Sequence, residues 1–169
     1  YGEDEKVCVV TVGGSGVGRD LLEKVIAAYP LAKQSMPELR MVVVEGPRID
    51  PAGLPVHGGL EYHGYVHGLY RHLAVCDLAI VQGGLTTTME LAAARTPFLY
   101  FPLRNHFEQN YHVRHRLDRY GAGQYMDYAV TDPAAIATEI ISRAGAPVDY
   151  LGVESNGAAK AAKMISDLI

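Results

Sequence analysis

The residues with the clearest chemical potential lie in segment 82–90, which reads Gln-Gly-Gly-Leu-Thr-Thr-Thr-Met-Glu. The segment follows an apolar run and precedes a helical pattern, so its backbone N–H groups and hydroxyls are expected at a helix N-terminus. Such a position favours an anion, most often a phosphate. Glu90, one turn further on, would repel a phosphate but can accept two hydrogen bonds from a sugar diol. The combination predicts a nucleotide bound by its phosphates and its ribose.

Helix capping is the alternative interpretation of the same segment. Thr87 and Glu90 have the spacing of a capping box, in which both side chains satisfy N–H groups of their own helix. Capping does not explain why Gly83 and Gly84 precede three β-branched hydroxyl residues, which are mediocre helix formers. Thr86 and Thr87 precede Glu90 by four and three residues and therefore share its helix face. We favour the ligand interpretation.

A second glycine-rich segment, 13–18, follows the first apolar run. A P-loop needs Lys and then Ser or Thr after its last glycine, where this chain has Arg19 and Asp20. The dinucleotide fingerprint G-x-G-x-x-G begins at Gly14 but meets Arg19 in place of its third glycine. Two alternatives to the phosphate-and-ribose site stay open here, a turn without a ligand and an NAD site. The residues of the NAD site would be Gly14, Gly16 and Glu45, with the carboxylate on the ribose.

A third polar segment, 102–110, follows another apolar run and precedes a helical pattern. Glu108, Gln109 and Asn110 place a carboxylate and two amides at the expected N-terminus of that helix, a fitting set for sugar hydroxyls. The alternative is again capping, because Asn105 and Glu108 have the spacing of an acceptable cap pair.

Composition excludes several classes of protein. Hydrophobic residues make up 49% and charged residues 20% of the 169 residues, as in ordinary soluble globular proteins. The net charge of −4 gives no general attraction to nucleic acid. No apolar run approaches the ~20 residues that span a bilayer. Cys8 and Cys76 lie in or beside apolar runs without metal-ligand spacing, so we expect reduced core cysteines and a cytoplasmic protein.

Strand and helix patterns alternate along the chain, and the strands are apolar throughout. This pattern predicts a parallel sheet covered on both faces, a doubly wound, Rossmann-like α/β fold. The predicted strands are 6–12, 39–44, 60–63, 77–81, 98–101 and 123–126. The predicted helices are 19–29, 69–74, 86–94, 107–120, 133–143 and 157–168. Pro30 is expected to end the first helix, and segment 46–59 is expected to be a loop. Ligands of such sheets bind outside the carboxyl ends of the strands, where the three polar segments must lie.

The three segments together resemble the C-terminal, donor-binding half of the GT-B glycosyltransferases, most closely glycosyltransferase family 28. The motifs that carry the resemblance are Gly-Gly-Ser-Gly, Gly-Gly-x-Thr-x-x-x-Glu and the Pro…Glu-Gln-Asn run. The resemblance covers essentially the whole chain. It implies inverting transfer from a nucleotide sugar, usually a UDP-sugar, with no essential metal and no further cofactor.

The resemblance also implies which residues contact the donor. The diphosphate would contact Gly14, Ser15, Gly16, Gln82, Gly84, Thr86 and Thr87. The base would contact Tyr65, Val66 and Leu69, with backbone groups of Val66 facing uracil. The ribose would contact Glu90, and the donor sugar His106, Glu108 and Gln109. Family-1 relatives place a histidine where Gln82 stands, so this chain offers a hydrogen bond there without a charge.

The resemblance assigns no catalytic base to this chain. In such enzymes the acceptor site and the general base usually belong to an N-terminal domain, which residues 1–169 lack. Because the sequence starts at Tyr1 and almost at once enters a core strand, we expect a piece of a longer protein. The alternative is a stand-alone donor-binding subunit that works with a separate acceptor-binding chain.

The remaining polar residues allow two further predictions, about metal binding and about a basic helix. The histidines show no zinc-ligand spacing, so no metal site is predicted. Helix 107–120 and the loop before it are locally basic, which is ordinary for a solvated face, and the residues responsible are Arg104, Arg114, Arg116 and Arg119, with His112 and His115. Peripheral attraction to anionic lipid headgroups is the alternative interpretation of this basic helix.

Overall fold

A six-stranded, all-parallel sheet forms the centre of the molecule. The computed structural model describes residues 1–14, 16–154 and 156–168. The strands are β1 (Lys6–Thr11), β2 (Leu39–Val44), β3 (Leu60–His63), β4 (Leu78–Val81), β5 (Phe98–Tyr100) and β6 (Gln124–Tyr125). Their order in the sheet is β3-β2-β1-β4-β5-β6. The order reverses between β1 and β4, the arrangement of a doubly wound fold, so the predicted fold class is confirmed.

The described residues form six α-helices, of which the last, after β6, buries none of its residues. They are α1 (Arg19–Ser35), α2 (Leu69–Leu73), α3 (Leu85–Ala94), α4 (Arg114–Tyr120), α5 (Pro133–Arg143) and α6 (Gly157–Ser166). A 3₁₀ turn at Gly16–Gly18 leads into α1, and a π-helical segment at Glu108–Val113 leads into α4. Segment 46–59 contains no helix or strand, as predicted. None of the helices in the described ranges is both long and apolar enough to cross a membrane.

Two expectations about the helices are wrong. Helix α1 does not end at Pro30 but continues to Ser35. The apolar face formed by Ala28 and Tyr29 continues to the buried Ala32, so packing against the sheet outweighs the cost of an interior proline. The predicted single α-helix 107–120 instead starts as a π-helix, whose wider turns change the direction of every side chain before Arg114.

Each face of the sheet has its own hydrophobic core. Helix α1 packs against α5 over one face, where Val10 belongs to the core cluster. Val9 faces the opposite cluster, which includes Leu91 of α3 and Leu117 of α4. Adjacent residues of β1 therefore serve opposite layers, which explains why the strands are apolar throughout rather than alternating.

The two cysteines are buried and unpaired, as expected. Burial raises the pKa of the Cys76 thiol to about 12, and burial also raises the pKa of Cys8. Neither thiol is therefore a nucleophile at neutral pH.

Candidate functional site

The carboxyl ends of the central strands lie at one level of the sheet. Thr11, the last residue of β1, pairs with Val81, the last residue of β4, and Val81 pairs with Tyr100 of β5. The three polar segments therefore leave the sheet side by side. They flank the point where the strand order reverses, which is where ligands bind in open α/β sheets.

The glycines in and around the first glycine segment differ in the space available for a side chain. A Cβ at Gly18 would lie 2.3 Å from the Cβ of Val12, so only glycine lets α1 begin this close to β1. A Cβ at Gly46 would lie 2.4 Å from the carbonyl oxygen of Gly13, and Gly46 also has a φ of +80°. At Gly14, by contrast, no atom lies within 4 Å of an added Cβ. The fold requires Gly18 and Gly46, whereas nothing in the described chain explains Gly14.

Helix α3 begins at the second glycine segment without a side-chain cap. Its N-cap residue is Gly84, and no side chain among the described residues caps its first turn. Thr87 is the third residue of the helix, so the capping-box interpretation of Thr87 and Glu90 is wrong. The buried Thr88 hydroxyl instead donates to the carbonyl oxygens of Gly84 (2.9 Å) and Leu85 (3.1 Å). As far as residues 1–14, 16–154 and 156–168 show, the N–H groups at this helix start have no side-chain partner and can bind an anion.

A cleft of about 240 Å³ joins the three segments. Its lining includes Gly13, Gly14, Gln82, Gly84, Thr87 and Gln109. Gln82 is 7% exposed, and its Nε2 donor lacks a hydrogen-bond partner in the described structure. Burying a hydrogen-bond donor without a partner costs free energy of folding. The Gln82 amide is therefore available to donate to an acceptor bound in the cleft.

A larger pocket, of about 570 Å³, adjoins this cleft. It is lined by Tyr65, Val66 and Leu69 on one side and by Thr87 and Glu90 on the other. Thr87 lines both spaces and so links the small polar cleft to the larger pocket. The residues assigned by resemblance to the base and to the ribose thus share one pocket, next to the glycine segments.

The residues assigned to the donor sugar are not all together. Gln109 lines the small cleft, and its Oε1 accepts a hydrogen bond of 2.9 Å from the Leu103 N–H. Glu108 is exposed and His106 lines a different groove. His106 lies in the loop before the π-helical segment, whereas Glu108 and Gln109 are its first two residues.

Three further residues of the expected diphosphate set need separate mention. Thr86 is exposed beside the cleft and does not line it, and Gly16 lies in the 3₁₀ turn that precedes α1. Ser15 lies outside the described residues. The cap pair considered for Asn105 and Glu108 is also wrong, because the π-helical segment has Phe107 as its N-cap residue and neither side chain makes a capping hydrogen bond within the described structure.

The structure adds one charged residue, Arg48, to the candidate site. Arg48 lies in loop 46–59 and its guanidinium donates to the carbonyl oxygen of Gly14 at 3.4 Å, which puts a cation beside the first glycine segment. No sequence spacing indicates this position, because an irregular loop carries Arg48 there.

Glu45, the residue that an NAD site would require, is 3% exposed, and its Oε2 atom has no hydrogen-bond partner in the described structure. It lines neither the cleft nor the adjoining pocket. An NAD ribose bound in the cleft between the three polar segments would need the Glu45 carboxylate to line that cleft.

Within the described ranges, no group of three His, Cys, Asp or Glu side chains is arranged to hold a metal ion. The polar groups gathered at the strand ends are backbone N–H groups, hydroxyls, amides and two charged side chains, Arg48 and Glu90.

Comparisons with known proteins identify the family of this chain. Residues 7–141 match the family described as the glycosyltransferase family 28 C-terminal domain. The chain is 29% identical over 165 residues to an uncharacterized glycosyltransferase of Methanopyrus kandleri, covering 97% of this chain and 46% of the relative. The chain thus spans less than half the length of that relative.

Solved structures share the fold. A spinosyn rhamnosyltransferase, SpnG, complexed with thymidine diphosphate has a TM-score of 0.64 at 20% identity, with 97% of this chain and 41% of that chain covered. The UDP-GlcNAc 2-epimerase of Methanocaldococcus jannaschii, in complex with UDP-GlcNAc and UDP, has a TM-score of 0.71 at 8% identity, with 97% and 46% covered.

The match over most of the chain places this protein in a defined family. The chain belongs to the glycosyltransferase family 28 C-terminal domain family, and the family resemblance drawn from its sequence motifs is confirmed. Membership favours a glycosyltransferase domain over the NAD-binding oxidoreductase alternative.

Proposed function

We propose that this chain binds a nucleoside-diphosphate sugar, with UDP as the nucleotide, for an inverting glycosyltransferase that needs no metal ion. One observation carries the proposal: the cleft between the glycine segments opens, across Thr87, into the pocket that holds Tyr65, Val66 and Glu90. A diphosphate in the cleft would leave the ribose and the base in the adjoining pocket. The thymidine diphosphate bound to SpnG and the UDP and UDP-GlcNAc bound to the epimerase support the same ligand class.

The charge that develops on the departing diphosphate needs stabilisation in any such transfer. In this proposal the N–H groups at the starts of α1 and α3 provide it, together with the Gln82 amide and the Arg48 guanidinium. These groups are fixed by the fold before the ligand arrives, so they reorganise little during the reaction. They take the place that a divalent cation has in metal-dependent transfer.

The other half of the reaction lies outside the proposed role of this chain. An acceptor hydroxyl must be held in line with the anomeric carbon, and a base must take its proton. We propose that an N-terminal domain or a separate subunit supplies both, because the M. kandleri relative is more than twice as long as the matched region. Residues 1–169 would then be the donor-binding domain.

Ligand binding tests this proposal directly. Titration calorimetry of the 169-residue chain should show binding of UDP and UDP-sugars, unchanged by EDTA, and a matching rise in melting temperature because ligand stabilises only the folded state. A donor-turnover assay with added acceptor should show no sugar transfer. Binding of NAD in place of every nucleoside diphosphate would overturn the function, and loss of UDP binding in EDTA would overturn its independence of metal.

Glu90→Gln should weaken UDP binding by about 1–3 kcal/mol, because the amide keeps one acceptor but loses the charge-assisted pair of hydrogen bonds to the ribose diol. Wild-type protein should also prefer UDP over 2′-deoxy-UDP, and the variant should lose that preference. Stability should be unchanged, because Glu90 is exposed and makes no side-chain hydrogen bond within the described structure. A variant that unfolds more readily while still discriminating the two nucleotides would contradict the ribose role.

A further inference from the structure

The pocket proposed for the ribose and the base contains a cation that the sequence motifs do not indicate. Arg71, the third residue of α2, lines this pocket together with Tyr65 and Val66, which precede α2. Thr87 and Glu90 line it from α3, a helix that packs against α2. The pocket therefore has a guanidinium on one wall and a carboxylate on the other.

The Arg71 side chain is held by a neighbouring aromatic ring and not by a carboxylate. Its Nε atom donates a hydrogen bond of 3.1 Å to the Tyr70 hydroxyl, and its guanidinium carbon lies 5.6 Å from the centroid of the Tyr70 ring. No ion pair among the described residues includes Arg71 or Glu90. The two terminal nitrogens of Arg71 make no hydrogen bond in the described part of the chain. Their donors are therefore open to a group that enters the pocket.

The chemistry of a guanidinium limits the partner that these donors can take. A guanidinium has donors and no acceptor, so it needs an acceptor from the ligand. In the proposed arrangement the ribose diol lies at Glu90, and the diphosphate lies in the small cleft, across Thr87. The base then remains as the partner of Arg71. Uracil presents a carbonyl oxygen at its C4 position, where cytosine presents an amine, and only the oxygen can accept from a guanidinium.

We propose that Arg71 selects uracil over cytosine by donating a hydrogen bond to the C4 carbonyl oxygen of the base. An amine at this position would set donor against donor and leave the guanidinium without a partner. Tyr70 is the positioning residue, because its bond to Nε fixes the plane in which the two terminal nitrogens lie. This inference rests on the proposed function and adds to it a residue that determines which nucleotide is bound.

Titration calorimetry of the 169-residue chain with UDP and CDP tests the inference. Wild-type protein should bind UDP about tenfold more tightly than CDP, the discrimination that one charged hydrogen bond to a base provides. Arg71→Met keeps most of the length of the side chain and removes its donors. This variant should bind UDP about tenfold more weakly, bind CDP as the wild type does and show no preference. Its melting temperature without ligand should stay unchanged, because Arg71 is exposed.

Two further variants separate recognition of the base from other effects. Arg116→Met is the matched control, because it removes the same charge from an exposed position outside this pocket, and it should keep the preference for UDP. Tyr70→Phe keeps the ring but removes the acceptor for Nε, so it should narrow the preference without abolishing it. A wild-type preference in Tyr70→Phe would overturn the positioning role of Tyr70.

The results that contradict this inference differ from a failure of the nucleotide site. Equal affinities of the wild type for UDP and CDP, or a preference that persists in Arg71→Met, would overturn the selecting role of Arg71, while UDP binding would still support the site. An equal loss of UDP and CDP affinity in Arg71→Met would place the guanidinium at the diphosphate or the ribose instead. Wild-type protein that binds neither nucleotide would overturn the proposed function together with this inference.

Discussion

Gly18→Ala is expected to destabilise the protein by about 3 kcal/mol or more, a large fraction of the stability of a single domain. The added Cβ would lie 2.3 Å from Val12 Cβ and 2.5 Å from Val12 Cγ2, distances that real side chains do not adopt. Relief requires the start of α1 to move away from the end of β1, which disrupts the core between them. Denaturant unfolding of the variant measures the loss directly.

A second substitution sharpens this test. Because the nearest atom is the Cβ of Val12, shortening Val12 to alanine leaves the clash in place and should not rescue Gly18→Ala. A Gly18→Ala protein with wild-type stability would show that α1 does not approach β1 as closely as described.

Gly14→Ala, unlike Gly18→Ala, is expected to leave the free energy of unfolding unchanged. Its affinity for the nucleotide should fall about tenfold or more. No atom lies within 4 Å of the added Cβ and no left-handed backbone is required, so the folded chain tolerates alanine. Gly14 lines the cleft proposed for the diphosphate, where a methyl group would keep phosphate oxygens from the backbone N–H groups. Calorimetry with UDP measures the loss, and unchanged affinity would place the diphosphate elsewhere.

Most of the architecture is predictable from sequence because the hydrophobic pattern of the strands is strong. The runs 39–44 and 60–63 coincide with β2 and β3, and residues 133–143 coincide with α5. The continuation of α1 past Pro30 is not predictable from local signals, since burial of Ala32 against the sheet is a tertiary effect. The π-helical turn at Glu108–Val113 likewise has no local signature in the sequence.

The same division applies to the candidate site. The glycine segments and the Thr87–Glu90 pair are recognisable because motif spacing along a helix fixes which residues share a face. Arg48 is not recognisable, because an irregular loop carries it to Gly14. The open space around Gly14 and the unpartnered amide of Gln82 depend on tertiary packing, so they cannot be predicted from the residue pattern.

The burial of both thiols has a practical consequence for chemical labelling. Cys8 is fully buried and Cys76 is 6% exposed, and with their raised pKa values neither presents a thiolate to a maleimide or iodoacetamide reagent in the folded protein. A cysteine introduced on the surface, for example at Phe107, would therefore be the one reactive position for a fluorophore or spin label. The two native thiols would react only when the sheet opens, so their rate of alkylation reports the opening of the core without any added probe.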